Sequence, residues 1–156
     1  MLFTAEMVPY LRDIVAGRES ELHPAITRTL ASPEVSLADY LTAERDVEEL
    51  RAMFARWFND YDVLLCPVVA IPAPPHAQSS YVIDGVKVPA RHVMRATVLF
   101  NRTGLPAVSL PFGATTTGLP VGVQLVSRWW ADDALLDLTE RLEHDKPRVA
   151  RRIFDR

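Results

Sequence analysis

Two short apolar runs, each introduced by a Gly-Leu-Pro turn, constrain the fold of this chain more than any other feature. Gly104-Leu105-Pro106 precedes the run Ala107–Phe112, and Gly118-Leu119 precedes the run Pro120–Val126. Glycine supplies the backbone freedom that a tight turn needs, and proline fixes φ where the next segment begins. The doublet therefore predicts two consecutive strands, each entered through a tight turn.

The clearest helix of the sequence begins at Ser36. Ser36 with Asp39 forms a partial capping box, in which Asp replaces the usual Glu or Gln. Large apolar residues then recur at spacings of three and four, which predicts an amphipathic helix of roughly six turns lying on a core. These residues are Leu37, Tyr40, Leu41, Val47, Leu50, Phe54, Trp57 and Phe58.

Helices and strands alternate after residue 36, and this order is typical of the α/β class. Asp62–Cys66 is a nearly continuous apolar run, the pattern of a strand buried on both faces. Asp84-Gly85 predicts a type I′ hairpin within Tyr81–Val88, because these residues tolerate positive φ. The other predicted helices cover residues 5–15, 25–31, 91–100 and 131–143.

The composition gives no electrostatic reason for a nucleic-acid or membrane partner. The 156 residues are 49% apolar and 24% charged, with a formal net charge of −3, so a packed core is possible but positive charge is not in excess. The single cysteine, Cys66, excludes an internal disulfide and favours a reducing compartment. No apolar run approaches the ~20 residues that span a bilayer. We predict a cytoplasmic protein.

The order and spacing of these motifs resemble the C-terminal part of the amidase signature family. That family comprises serine amide hydrolases and the amidotransferase subunits, such as the glutamyl-tRNA amidotransferase A subunit, that release ammonia from glutamine. Tyr61–Pro67 is similar to the family's strand of aspartate, apolar residues and proline, and Gln124–Val126 followed by Asp132–Leu136 is similar to its last strand and helix. The resemblance implies a mixed sheet covered by helices.

The resemblance also divides the chain into three parts. It runs from about Ser36 to Glu143, so we expect residues 36–145 to be the C-terminal part of an amidase domain. Residues 1–35 are then connecting helices. Residues 146–156 form a basic tail, which we interpret as a solvated end or a docking segment.

The family's activity, by this resemblance, is hydrolysis of a carboxylic amide by a Ser-Ser-Lys triad. A lysine kept neutral by burial takes the proton of a bridging serine, which activates the nucleophilic serine, while amides of a glycine-rich loop hold the oxyanion. The 156 residues of this chain contain no glycine-rich loop that carries such serines. We predict that the triad lies in a missing N-terminal part and that this chain alone is inactive. The expected substrate is a small-molecule amide, and no cofactor is expected.

By the same resemblance, the segment before the first Gly-Leu-Pro runs close to the substrate channel. Met94, Thr97 and Asn101 are therefore candidates to shape the pocket; packing for Met94 and local hydrogen bonds for Thr97 and Asn101 are the alternative. Leu99 stands where the family often has proline. Glutamine-using subunits carry an acidic residue at the position of Met94, so its replacement favours a less polar amide.

Other chemistry within the chain has weaker support. The pair Ser79-Ser80 lacks flanking glycines, and Lys87 lies in the predicted hairpin, so both fit an exposed loop and strand. Cys66 before a proline suits a small buried side chain, and Asp132-Asp133 suit a helix cap. Four histidines lack the spacing of a zinc site: His23, His76, His92 and His144. We assign no catalytic residue and no metal ligand.

Three alternatives remain open. The chain could be a non-catalytic binding or assembly module that presents aromatic residues of the long helix (Phe54, Trp57, Phe58) to a partner. It could be one chain of a split amidase or amidotransferase. It could also be a small independent hydrolase that uses Cys66 or Ser80. Self-association is expected if strands of the chain lack neighbours, because exposed strand edges pair readily.

Overall fold

A computed structural model describes residues 1–76 and 78–145. The contacts divide this part of the chain into two compact units, the first formed by residues 1–52 and the second beginning at Met53. The predicted basic tail, residues 146–156, lies outside the described residues.

The first unit is helical, as the sequence predicts. Helix α1 spans Leu2–Val15, three residues longer at its start than predicted, and α2 spans Pro24–Leu30. Proline in the first turn of α2 costs no hydrogen bond, because the first amides of a helix have no partner within it. The Arg12 guanidinium donates a hydrogen bond of 2.9 Å to the Leu30 carbonyl, which ties α1 to the end of α2.

The long helix α3 spans Leu37–Trp57, and its predicted start is confirmed. The amide of Asp39 donates to Ser36 Oγ at 3.1 Å, and Ser36 Oγ donates to the Asp39 carboxylate at 2.7 Å. The expectation that its apolar stripe lies on a core holds only near its end. Phe54 is buried, whereas Leu37 is 73% exposed.

The described residues of the second unit form two antiparallel sheets, a short 3-10 helix (Ala90–Met94) and two further α-helices. The larger sheet has the order β1-β5-β4, and the smaller sheet pairs β2 with β3. Pro67, Pro89 and Pro120 each stand at the end or start of a strand. The elements are β1 (Val63–Pro67), β2 (Ser80–Ile83), β3 (Val86–Pro89), α4 (Arg95–Thr103), β4 (Ala107–Ala114), β5 (Pro120–Ser127) and α5 (Asp132–Asp145).

The two Gly-Leu-Pro turns have different structural roles. Gly104 has φ of +73° and ends α4, with its amide donating to the Phe100 carbonyl at 2.9 Å. Gly118 has φ of +86° and lies in the loop between β4 and β5, where the Leu119 amide donates to Thr115 Oγ1 at 3.0 Å. Both turns lead into strands, as predicted, and the two strands pair antiparallel.

The core of the second unit lies on one face of the three-stranded sheet. It is formed by Phe54, Phe58, Phe100, Leu105 and Val126, with Leu64 and Cys66 packed against it. On the other face, α5 lies against β4 and β5 and buries Leu135.

Strand β1 is not buried on both faces, so that prediction is wrong for the chain as described. Leu65, opposite Leu125 in the register, is 60% exposed. The reason is that α5 covers the two strands beyond β1 and leaves Leu65 uncovered. The hairpin prediction is confirmed, since Asp84 and Gly85 have φ of +50° and +78° and join β2 to β3.

Candidate functional site

Two of the three candidate pocket residues, Thr97 and Asn101, lie on one face of helix α4, and the third, Met94, immediately precedes the helix. Thr97 and Asn101 follow Met94 by three and seven residues, and at 3.6 residues per turn these positions align. Met94 is 51% exposed and Asn101 is exposed, whereas Phe100 and Thr103 on the opposite side are buried. Helix α4 therefore uses one face for the core and turns the candidate face away from it.

Local hydrogen bonding accounts for part of this face. Thr97 Oγ1 donates to the Met94 carbonyl at 2.9 Å, which is the local role considered as its alternative. Val98, one turn after Met94, is also exposed on this face. Val98 was not among the predicted pocket residues, although its spacing of four from Met94 was the available signal.

A shallow cavity of about 400 Å³ lies where α4 ends and α5 begins. Asn101 lines it, but Met94 and Thr97 do not. Its other walls include Leu105, Trp129, Trp130 and Asp132. Aromatic walls beside one amide and one carboxylate suit a planar or apolar group that makes a single hydrogen bond. None of the lining residues that the structure describes is a serine, cysteine or lysine.

The two tryptophans of this cavity have contrasting environments. Trp129 Nε1 donates to the Thr103 carbonyl at 3.0 Å, so this indole is fixed. Trp130 is 95% exposed and has φ of +64°, a conformation that is uncommon for a non-glycine residue. Sequence reasoning missed both residues, because no periodic pattern marks side chains that precede a helix.

Cys66 does not have the environment of an activated thiol. It is half-buried and packs against the core. Burial raises the pKa of the Cys66 thiol, and a smaller opposing effect comes from a hydrogen bond with the Gln124 side chain. A raised pKa keeps the thiol protonated near neutral pH, whereas a nucleophilic cysteine needs a lowered one.

The serine and lysine of the alternative dyad are not direct neighbours. Ser80 lies opposite Pro89 in the hairpin register, and Lys87 lies opposite Val82. The two residues are therefore diagonal on one face of a two-stranded sheet, a relationship that separates residues by about 7–8 Å.

Metal and membrane sites are not found in the part of the chain that the structure describes. Residues 1–76 and 78–145 hold no group of three or more His, Cys, Asp or Glu side chains that could bind a metal ion. His23 instead caps α2, its Nδ1 accepting from the Ala25 amide at 3.2 Å. Asp132 and Asp133 lie in the first turn of α5, as predicted. None of the described helices has both the length and the apolar character of a membrane span.

Comparison with known protein families shows which family this chain belongs to. The family model described as Amidase matches residues 4–136. The chain belongs to the amidase signature family. The match begins well before Ser36, so the family relationship includes the first helices, which the motifs alone did not reveal.

Curated relatives in this family act on different amides. The chain is 32% identical over 106 residues to a fatty acid amide hydrolase of Oryza sativa subsp. indica, covering 67% of this chain and 17% of the relative. It is 34% identical over 119 residues to a 6-aminohexanoate-cyclic-dimer hydrolase of Pseudomonas sp. (strain NK87), covering 68% and 24%. The chain thus spans about a fifth of the length of these relatives.

Solved structures of the amidase signature family confirm the fold. One crystal structure of an amidase superposes with a TM-score of 0.83 at 26% identity, over 92% of this chain and 33% of that one. The α/β fold expected from the sequence, with helices covering a sheet, is therefore that of about one third of an amidase structure.

Proposed function

We propose that this chain is the C-terminal part of an amidase that hydrolyses a carboxylic amide C–N bond. The family match over residues 4–136 carries the proposal, because it extends over most of the chain. The nucleophile, bridging serine and lysine would come from a segment outside these 156 residues.

The chemistry of such an enzyme is the Ser-Ser-Lys mechanism that the family resemblance implies. The neutral lysine accepts a proton from the bridging serine, which accepts one from the nucleophilic serine as its oxygen attacks the amide carbon. The C–N bond then breaks, the amine leaves with the transferred proton, and water hydrolyses the acyl ester to release the acid. Backbone amides stabilise the oxyanion.

The contribution of this chain would be part of the sheet and one wall of the substrate channel. The exposed face of α4, with Met94, Thr97 and Asn101, is the proposed wall. Its side chains are an apolar thioether, a hydroxyl and a neutral amide, none of which can pair with a charged substrate group. This composition supports a neutral and rather apolar amide over glutamine.

The test begins with the coding DNA upstream of Met1. We expect it to encode a lysine-bearing segment and a glycine- and serine-rich segment, and the rejoined protein to react covalently with a fluorophosphonate, a serine-directed probe. This chain expressed alone should remain unlabelled. Labelling of the folded chain alone would contradict the proposal, as would an absence of labelling in the rejoined protein.

A second candidate function is a separate subunit of a split amidase or amidotransferase. Exposed apolar side chains favour it, because Leu65, Val82 and Trp130 are all more than half exposed and would be covered by a partner. The two candidates differ in one measurement. A split enzyme gains activity when a separately encoded N-terminal chain is mixed with this one, without any covalent joining.

A further inference from the structure

Gln124 is a buried polar residue at the centre of the larger sheet. Its side chain is in strand β5, between Cys66 of β1 and Ser109 of β4 in the register, and it is only 4% exposed. Gln124 Nε2 donates a hydrogen bond of 3.1 Å to the carbonyl oxygen of Pro67. Burying a side-chain amide costs free energy unless the amide is hydrogen-bonded. The contact with Pro67 therefore offsets the cost of burying the Gln124 amide.

Gly122, two residues earlier in β5, makes a second contact with the same region. A Cβ atom on Gly122 would lie 3.2 Å from Val68 Cγ2 and 3.6 Å from Ser109 Oγ. The Val68 amide nitrogen also donates a long hydrogen bond, of 3.5 Å, to the Gly122 carbonyl oxygen. The Val68 side chain therefore packs so closely on the glycine that it would have to shift by a few tenths of an ångström to admit a Cβ atom there.

Pro67 and Val68 lead into a proline-rich stretch, residues 68–76, which we call the proline segment. It contains Pro72, Pro74 and Pro75 and forms neither helix nor strand. Proline restricts φ, so a segment of this kind has few conformations. Fixing its first residues therefore limits the positions of those that follow.

The proline segment starts on the face of the sheet that α4 also covers. Side chains alternate along a strand, so Gly122, Gln124 and Val126 share one face. Val126 on that face packs with Phe100 of α4 in the core. The start of the proline segment and helix α4, which bears Thr97 and Asn101, are therefore on the same side of the sheet.

We propose that Gly122 and Gln124 are positioning residues that hold the proline segment in place as a second wall of the substrate channel, beside α4. Gln124 fixes the carbonyl of Pro67, and Gly122 makes room for Val68. Val69, which follows, is exposed and presents an apolar surface. This inference rests on the proposed function for the role of the wall, but the anchoring itself does not depend on activity.

The test compares variants of the rejoined amidase by hydrogen exchange and by steady-state kinetics. In Gly122→Ala the new methyl group displaces Val68, so the amides of residues 68–71 should exchange at least about fivefold faster. KM should rise about tenfold with kcat nearly unchanged, because a loosened wall weakens binding rather than the chemical step. Gln124→Met, which keeps length but removes the donor, should act in the same direction.

A compensating substitution separates positioning from general damage. Val68→Ala removes the methyl groups that the new Cβ would meet, so the double variant Gly122→Ala/Val68→Ala should recover most of the exchange protection and the KM. Gly113→Ala in β4, where nothing lies within 4 Å of the new Cβ, is the matched control and should change neither.

The outcomes distinguish this inference from the proposed function. Unchanged exchange of residues 68–71 in both Gly122→Ala and Gln124→Met overturns the anchoring, and so does failure of Val68→Ala to rescue Gly122→Ala. Faster exchange with an unchanged KM overturns the wall. If the rejoined protein hydrolyses no amide, the proposed function and the wall both fail, while exchange still decides the anchoring.

Discussion

The indole Nε1 of Trp129 lies 3.0 Å from the carbonyl oxygen of Thr103 and donates a hydrogen bond to it. Thr103 is fully buried at the end of α4, where the last carbonyl groups of a helix have no partner within it. A side chain that precedes α5 thus completes the hydrogen bonding of α4. This contact joins the two helices on opposite faces of the sheet.

Removal of this hydrogen bond should destabilise the fold measurably. Trp129→Phe keeps an aromatic ring but leaves the Thr103 carbonyl without the indole donor, so the free energy of unfolding should fall by about 2 kcal/mol. Urea unfolding followed by far-ultraviolet circular dichroism measures this change. Trp130→Phe is the matched control; because Trp130 is 95% exposed, its effect should stay within about 0.5 kcal/mol. Equal effects of the two substitutions would show that the hydrogen bond is not the cause.

The glycine that ends α4 should be more sensitive to substitution than a glycine within β4. Gly104 has φ of +73°, and a Cβ atom in this left-handed conformation costs about 1–2 kcal/mol. Gly104→Ala should lower the urea midpoint accordingly. Gly113→Ala introduces the same methyl group where φ is not positive and space is open, so it should change the midpoint little. A larger loss for Gly113→Ala would contradict the conformational explanation.

The thiol of Cys66 should make stability depend on alkaline pH. Burial raises its pKa in the folded chain, so the folded state keeps the proton where the unfolded state loses it. Stability should therefore fall as pH rises through the ordinary thiol pKa, about 8.5–9. Stability measured between pH 7 and 10 should show this decline, and Cys66→Ala should reduce it. Iodoacetamide should also alkylate the folded chain more slowly than the urea-unfolded chain; equal rates would count against the raised pKa.

The isolated chain should associate with itself. Leu65 is exposed on β1, which in the described part of the chain pairs on one side only, with β5. An apolar edge strand of this kind favours intermolecular contact. Light scattering after size exclusion should show species larger than a monomer, and Leu65→Thr should shift them toward the monomer. Leu37→Thr, on helix α3 with similar exposure, should shift them less. A monodisperse monomer of the unaltered chain would contradict this prediction.

Local signals in the sequence predicted local structure well. The Ser36–Asp39 cap and the Asp84-Gly85 turn each depend on residues a few positions apart, and both formed as expected. The alternation of helices and strands supplied the fold class, and the family resemblance supplied the architecture, since the ordered motifs identify an arrangement that no single motif specifies. The first helices were predicted as helices, but their membership of the family was not recognised because they carry no such motif.

The remaining features depend on tertiary packing and could not be read from the pattern. The apolar run of β1 is compatible with burial on both faces, but only the position of α5 decides that Leu65 is exposed. Gln124 resembles any polar residue of a strand until the register places it beside Pro67. The two Gly-Leu-Pro turns have identical letters, yet one ends a helix and the other closes a hairpin.

The prolines at the strand ends carry a further consequence for how this chain aggregates. Pro67 ends β1, Pro89 ends β3 and Pro120 begins β5, and proline has no amide hydrogen with which to continue a ladder. Of the two outer strands of the larger sheet, β1 is only five residues long, and β4 has Pro111 within its eight residues. Neither edge therefore offers a long uninterrupted ladder to another chain. Assemblies of this chain should therefore be amorphous and thioflavin-negative.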